Sequence, residues 1–461
     1  MNESQQKPSI LFATGVGTVT GANFLLETPA GTKILIDCGM VQGERVAQEE
    51  NREKFPYDPA SIDALLITHA HLDHVGRIPK LVKEGYKGPI YSTSQTKQLA
   101  ELVLADAAGI LAEEARREGR DPLYLATDVP PVFLQWKTVE YHTQTEIAPD
   151  VSIYLKDAGH ILGSTMIEVT LKDSQGTKIL FTGDLGNSPA PLLRDTETVG
   201  DVDYMVMESC YGDRNHEDRE TRSAELENII KAALARGGTL VIPAFSIDRT
   251  QVLLYELNNM VEQGRIPSVP IFVDSPMGIK ATDVYRDSIE LFNPAAQAQI
   301  RNGDDIFDFP KLQYTMSQGE SRSIEHLQGA KIILAGSGMS VGGRVISHEE
   351  RFLPDATSTL LLVGYQSPGS LGRALADGTK KVHIHGQDIT VRAHIETIYG
   401  YSAHKDGDHL VEFVATATDR LKQVYVAMGE PGASMHLAQR LNDELRVKAM
   451  MPERLKRYEL K

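Results

Sequence analysis

Four candidate metal-binding side chains fall within six residues at His69-Ala70-His71-Leu72-Asp73-His74, directly after the apolar run Ala64-Leu65-Leu66-Ile67. Imidazole and carboxylate are the donors a zinc-like ion takes. A run of them where a strand ends lets the side chains converge on one point, whereas packing gives no reason for three histidines and an aspartate at this spacing. Two further candidates follow, Gly159-His160 and Thr182-Gly183-Asp184, each after or at the end of a β-like run. Alone each is weak, since a lone His is usually structural and an Asp after a strand often makes a turn or cap. Beside the cluster they read as loop ligands gathered above a sheet. Asp37 closes Ile34-Leu35-Ile36 and is placed to orient a ligand from behind, against the plainer role of forming the turn before Gly39. Ions held by such residues make water a nucleophile and polarise an ester, thioester or phosphodiester. The chemistry indicated is metal-dependent hydrolysis.

The elements that must position these residues come in two batches. Strands are predicted at Ser9–Ala13, Asn23–Glu27, Lys33–Asp37 and Ala64–Thr68, then helices over Ile78–Glu84 and Thr96–Glu118. A second set of strands follows at Ser152–Leu155, Thr165–Leu171, Lys178–Thr182 and Met205–Glu208, which suits stacked sheets between helices. From about Thr221 the rhythm becomes βαβ, with strands at Gly238–Pro243, Ile271–Val273 and Lys331–Ala335, as a parallel sheet requires. Strand-rich text returns at Lys381–Ile384, Ile389–Ile398 and Gln423–Met428, before a helix over Leu437–Glu444. One domain inserted into another fits this order, with sections 1–210, 211–378 and 379–461.

At 461 residues the chain is too long for a single core, which stops growing at about 250–300 residues. With 41% hydrophobic and 24% charged residues it reads as a soluble globular protein. No apolar run suits a membrane span, and the polar residues 1–8 carry no apolar stretch of a secretory signal, so the expected location is cytoplasmic. Two cysteines, Cys38 and Cys210, exclude a disulfide scaffold and read as buried thiols. The net charge of −16 argues against binding nucleic acid over the whole surface but allows a local basic cleft. Gly-rich turns, Gly336-Ser337-Gly338 followed by Gly343-Arg344, and Gly364-Tyr365-Gln366 followed by Gly372-Arg373, could offer N–H groups to phosphate, against the ordinary reading of plain turns. Neither a Walker-type loop nor a Ser-His-Asp order competes with the metal cluster.

In order, Asp37, the His-x-His-x-Asp-His run, His160 and Asp184 resemble the four leading motifs of the metallo-β-lactamase superfamily. Met207-Glu208-Ser209-Cys210-Tyr211-Gly212-Asp213-Arg214 and Tyr401-Ser402-Ala403-His404 resemble motifs of its β-CASP branch, the RNA- and DNA-processing nucleases related to cleavage and polyadenylation specificity factor. The resemblance covers nearly the whole chain. It implies an α/β fold, an αββα sandwich carrying an inserted β-CASP domain with a parallel sheet. It also implies two zinc ions per chain, the first on His69, His71, His160 and Asp184, the second on Asp73, His74 and the same Asp184. In such enzymes Asp73 belongs to the catalytic set, His404 protonates the leaving oxygen and Glu208 holds His404 in place. Pro243-Ala244-Phe245-Ser246 with Arg249 looks like a β-CASP strand end. Arg249, Arg344 and Arg373, with Ser337 and Gly338, are then candidate phosphate contacts, against ordinary ion pairs. The implied activity is a ribonuclease acting on single-stranded RNA, and the implied assembly, by family analogy, a homodimer.

One motif departs from that pattern. Where the family carries a His before Gly-Glu as the remaining ligand of the second ion, this chain reads Val426-Ala427-Met428-Gly429-Glu430. A thioether is a poor substitute for imidazole on zinc, so the second site is expected to be weak unless His409 or His436 replaces the missing donor. Two other readings remain open: a hydrolase of small esters or thioesters, which the long insertion disfavours, and an RNA-binding relative with impaired catalysis.

Overall fold

The computed structural model describes residues 7–43, 49–216, 221–364, 366–367 and 369–461; the polar residues 1–6 and Tyr365 of the sequence reading lie outside them. The chain divides into two compact units, Met1–Asn215 with His404–Lys461, and His216–Ala403.

In the first unit two seven-stranded sheets share one core. The first runs in the order Arg457–Glu459, Ser9–Thr14, Asn23–Glu27, Lys33–Ile36, Ala64–Leu66, Ile90–Ser92, Trp136–Thr138. The second runs Ala449–Met450, Gln423–Val426, Tyr204–Met207, Lys178–Phe181, Thr165–Leu171, Val151–Asp157, Thr145–Ala148. Strand alternation sends Ile34, Ile36, Phe12 and Phe24 of one sheet against Ile153, Ile167, Phe181 and Val206 of the other. Full burial of each such side chain contributes about 1.5–3 kcal/mol. On the outer face of the second sheet, Leu180, Met205 and Val424 meet Leu410, Val414, Leu437 and Leu441 from helices Gly407–Ala415 and Pro431–Leu445. Helix Ser94–Glu118 packs on the edge strand Trp136–Thr138 of the first sheet. It starts where Thr93 Oγ1 accepts from Thr96 N at 3.2 Å and stops at Gly119, which takes a left-handed conformation.

The second unit holds a six-stranded sheet in the order Leu312–Tyr314, Ile271–Asp274, Lys331–Ala335, Thr239–Pro243, Thr359–Val363, His394–Ile398, parallel throughout. Its four central strands are buried runs, almost wholly apolar, as a sheet covered on both faces demands. The αββα sandwich with an inserted parallel-sheet domain is the architecture expected. Its boundary, however, falls later than 379. Strand His394–Ile398 pairs with Thr359–Val363 from Thr359↔His394 to Val363↔Ile398, and the hairpin residues Val382, Ile384 and Ile389 pack in the same core as Leu362 and Leu375. Both stretches therefore belong to the inserted unit, and the chain returns to the sandwich at His404. Among the described residues no helix is long and apolar enough to cross a membrane.

Candidate active site

Six strands of the first unit deliver the candidate ligands and their neighbours from their ends. Asp37 and Thr68 lie just past the parallel pair Lys33–Ile36 and Ala64–Leu66, and Asp184, Glu208 and Met428 just past the parallel trio Lys178–Phe181, Tyr204–Met207 and Gln423–Val426. His160 follows Val151–Asp157. The short helix Leu72–Val75, which carries Asp73, crosses Gly39 so closely that a Cβ there would fall 1.5 Å from Asp73 O, which explains the glycine after Asp37 and Cys38.

The side chains gather into two donor groups, His69, His71, His160 and Asp184 in one, Asp73, His74 and Asp184 in the other. His69 Nε2 and His160 Nε2 stand 3.1 and 3.2 Å from His71 Nδ1, and each is 3.5 Å from Asp184 Oδ2. The other carboxylate oxygen, Asp184 Oδ1, lies 3.3 Å from His74 Nε2, which is 3.9 Å from Asp73 Oδ2. Asp184 therefore presents one oxygen to each group. His74 Nε2 is buried and without a hydrogen-bond partner, although its Nδ1 pairs with Asp37 Oδ2 at 2.7 Å. An orphaned imidazole nitrogen facing two carboxylates is what a divalent ion of zinc type would satisfy, and the donor set fits such an ion.

Asp37 is held in turn. It adopts a left-handed backbone (φ 56°) and accepts from Thr68 N and Thr68 Oγ1, both at 2.8 Å. Thr68 was not singled out from the sequence. Its position next to His69 was the available signal, but threonine at a strand end is too common to read without the contact.

Beside the first group stands a second pair. His404 Nδ1 is 3.2 Å from both oxygens of Glu208, and its ring centre is 4.7 Å from that of His160. Glu208 is buried, and its Oε1 accepts from Leu185 N at 2.5 Å. His404 is fixed by backbone pairing with Gly186 and by Lys405 N donating to Leu185 O at 2.9 Å. Burial opposes a charge on His404, but the Glu208, Asp184 and Asp73 carboxylates prevail and push its pKa up to about 9.

Met428 lies two residues past strand Gln423–Val426, buried, with φ 46°. Its N donates to Gly15 O at 2.8 Å, and a Cβ on Gly15 would lie 2.8 Å from its sulfur. It lines the same small cavity as Asp37, His74 and Glu208. Neither substitute donor reaches there. His409 Nδ1 pairs with Asp406 Oδ1 at 2.5 Å at the start of helix Gly407–Ala415, His436 is exposed on Pro431–Leu445, and neither joins a donor group among the described residues.

The expected phosphate contacts all lie in the second unit and are engaged within it. Arg344 donates to Asp274 Oδ1 at 2.6 Å and to Thr315 O at 2.9 Å. Arg373 Nε donates to Asp377 at 2.9 Å, and Arg249 is buried. Ser337 Oγ accepts from Val341 N at 3.2 Å, and Gly338 O from Gln366 Nε2 at 3.1 Å. These are the bonds of tight turns and internal ion pairs.

Sandwich, insertion and paired donor groups define a class. Residues 16–225 match the family described as Metallo-beta-lactamase superfamily, 250–375 the Beta-Casp domain and 388–452 the Zn-dependent metallo-hydrolase RNA specificity domain. The chain belongs to the β-CASP branch of the metallo-β-lactamase superfamily, hydrolases of phosphodiester bonds. Among individual proteins it is similar to Ribonuclease TTHA0252 of Thermus thermophilus, 34% identical over 396 residues covering 86% of this chain and 88% of that one. It is also similar to Transcription termination factor FttA of Methanothermobacter thermautotrophicus, 32% identical over 475 residues covering 98% of this chain and 72% of that one. A crystal structure of a protein of unknown function from Enterococcus faecalis V583 shares the fold, with a TM-score of 0.58 at 12% identity over 99% of this chain and 100% of that one.

Proposed function

We propose that this chain is a zinc-dependent ribonuclease that hydrolyses single-stranded RNA, with one complete metal site and one depleted by Met428. The observation that carries this is the split carboxylate of Asp184, one oxygen 3.5 Å from His69 and His160, the other 3.3 Å from His74. His69, His71, His160 and Asp184 would hold the first ion, and Asp73, His74 and Asp184 the second. Ions bound there would make water a nucleophile at neutral pH and offset charge on the phosphate. The chain's own residues do the rest. Asp37 fixes the His74 ring so that Nε2 faces Asp184 and Asp73. Glu208 holds His404 through Nδ1, and His404 delivers its proton to the leaving oxygen, worth about 10²–10⁴ in rate. RNA as the substrate is supported by the matched RNA specificity domain and by the relative named a ribonuclease. The cytoplasm is the compartment consistent with that role.

Met428 favours a second reading, an RNA-binding relative of impaired catalysis. Both are tested by incubating 5′-labelled single-stranded RNA with zinc or manganese and the parent chain, Met428→His or Asp184→Asn. Cleavage by the parent that disappears in Asp184→Asn is expected. Cleavage by Met428→His alone supports the impaired relative, and none by either variant or parent overturns the ribonuclease.

A further inference from the structure

A third side chain shares this end of the site with Glu208 and His404, and the hydrolytic chemistry does not use it. Cys210 lies two residues beyond Glu208, and its N donates to Glu208 Oε2 at 3.4 Å. One ligand atom from each of Glu208, Cys210 and His404 lies within 4.8 Å of the other two. Glu208 is buried, while Cys210 and His404 are partly exposed, so an ion can reach them. Zinc with bonds of about 2.0–2.3 Å in a tetrahedron needs donors about 3.3–3.8 Å apart, so the cluster closes with side-chain shifts of about an ångström. Thiolate, imidazole and carboxylate suit zinc, whereas magnesium and manganese favour all-oxygen sites. Neither group containing Asp184 includes a thiol. The other cysteine, Cys38, is fully buried and belongs to no such cluster among the described residues.

We propose that Glu208, Cys210 and His404 form a separate zinc site whose occupancy switches the enzyme off. Binding sends the thiol proton to solvent, together with the proton that His404 shares with Glu208, and puts the ion in their place. A ring held by zinc through Nδ1 keeps a proton on Nε2 but holds it far more tightly than an imidazolium does. Glu208 is engaged as well, so the leaving oxygen goes unprotonated. Zinc thus both supports and, in excess, inhibits the reaction, while excess manganese does not inhibit. The inhibitory consequence rests on the role proposed above for His404, but the site itself does not.

The two are separated by titrating the full chain, stripped of metal with a chelator, with cobalt(II) and recording absorbance. The groups around Asp184 supply only nitrogen and oxygen, so a thiolate-to-cobalt charge-transfer band in the near ultraviolet reports this site alone. The expected result is a band that grows in after the first equivalents, is bleached by zinc, persists in Cys38→Ser and is absent in Cys210→Ser. No band in the parent at excess cobalt, or loss of the band in Cys38→Ser while Cys210→Ser keeps it, overturns the site. As the chain has two cysteines, the Cys38→Ser result decides even where Cys210→Ser does not fold. If RNA is cleaved, the zinc concentration for half-inhibition rises about tenfold or more in Cys210→Ser, the order by which sites respond to a lost supporting group. A band of the expected behaviour without RNA cleavage retains the metal site and rejects only the ribonuclease.

Discussion

Asp37 Oδ2 and His74 Nδ1 are 2.7 Å apart, and this bond turns the opposite nitrogen of the same ring, buried and without a hydrogen-bond partner, toward Asp184 Oδ1 at 3.3 Å. A carboxylate behind a histidine fixes which nitrogen offers its lone pair and raises its basicity. Replacing Asp37 by Asn keeps the shape and removes the charge. The expected effect is a loss of about 10–100-fold in affinity for the second ion, with the first retained, read as two separated steps in a calorimetric metal titration. Equal weakening of both steps would assign Asp37 to the fold alone.

His404→Ala should lower the cleavage rate by about 10²–10⁴ while leaving the ions held around Asp184 in place, since His404 belongs to neither of those donor groups. Glu208→Gln should lower it less. RNA substrates whose leaving oxygen is replaced by sulfur, which needs no proton to depart, should restore much of the lost rate in both variants.

In the second unit, Asp274 accepts from Ser321 Oγ at 2.5 Å, Arg344 Nη1 at 2.6 Å, and Thr315 Oγ1 and His348 Nε2 at 2.7 Å, while fully buried. Burial works against its charge, but these four donors win and hold its pKa at about 2, below the ordinary 3.8. Because the folded carboxyl binds its proton less readily than the unfolded one, its contribution is complete above about pH 4. It is lost as pH falls through 2, about 2–3 kcal/mol in all. Asp274→Ala leaves His348 and Arg344 facing an empty position and should cost about 3–5 kcal/mol, measured by urea denaturation.

Glu349 behaves in the opposite sense. Burial raises its pKa to about 7 against the hydrogen bond from Ser340, and its Oε2 has no partner. Between about pH 4.5 and 7 the folded carboxyl keeps a proton that the unfolded one has released, so stability falls as pH rises through this window and levels off above it. Glu349→Gln should flatten that segment of the stability profile. An unchanged slope would show that another group produces it.

The metal-binding residues were the most legible part of the chain, because His-x-His-x-Asp-His compresses four donors into a spacing that packing does not call for. His160 and Asp184 were readable only beside it. Strands Asn23–Glu27, Thr165–Leu171 and Lys331–Ala335 were visible as short β-rich runs between turns. Strand Thr359–Val363 was not, since Leu360-Leu361-Leu362 has no alternation and lies in a run too short to distinguish strand from buried helix. Ile389–Ile398 read as one β segment, yet Gln387–Thr390 closes a hairpin and His394–Ile398 joins the large sheet. That choice is made by tertiary pairing and leaves no local trace. The engaged state of Arg344 was equally hidden, because its partner Asp274 lies 70 positions away.

The order in which the site is assembled from the chain has a bearing on its biosynthesis. His69 to Asp184 precede the inserted unit, but His404 returns immediately after it, and strand Gln423–Val426 must then enter the second sheet beside Tyr204–Met207. A nascent chain on the ribosome therefore carries every residue of both donor groups some 220 positions before it reaches His404. The second sheet of the sandwich is thus completed only after the whole inserted unit has been synthesised.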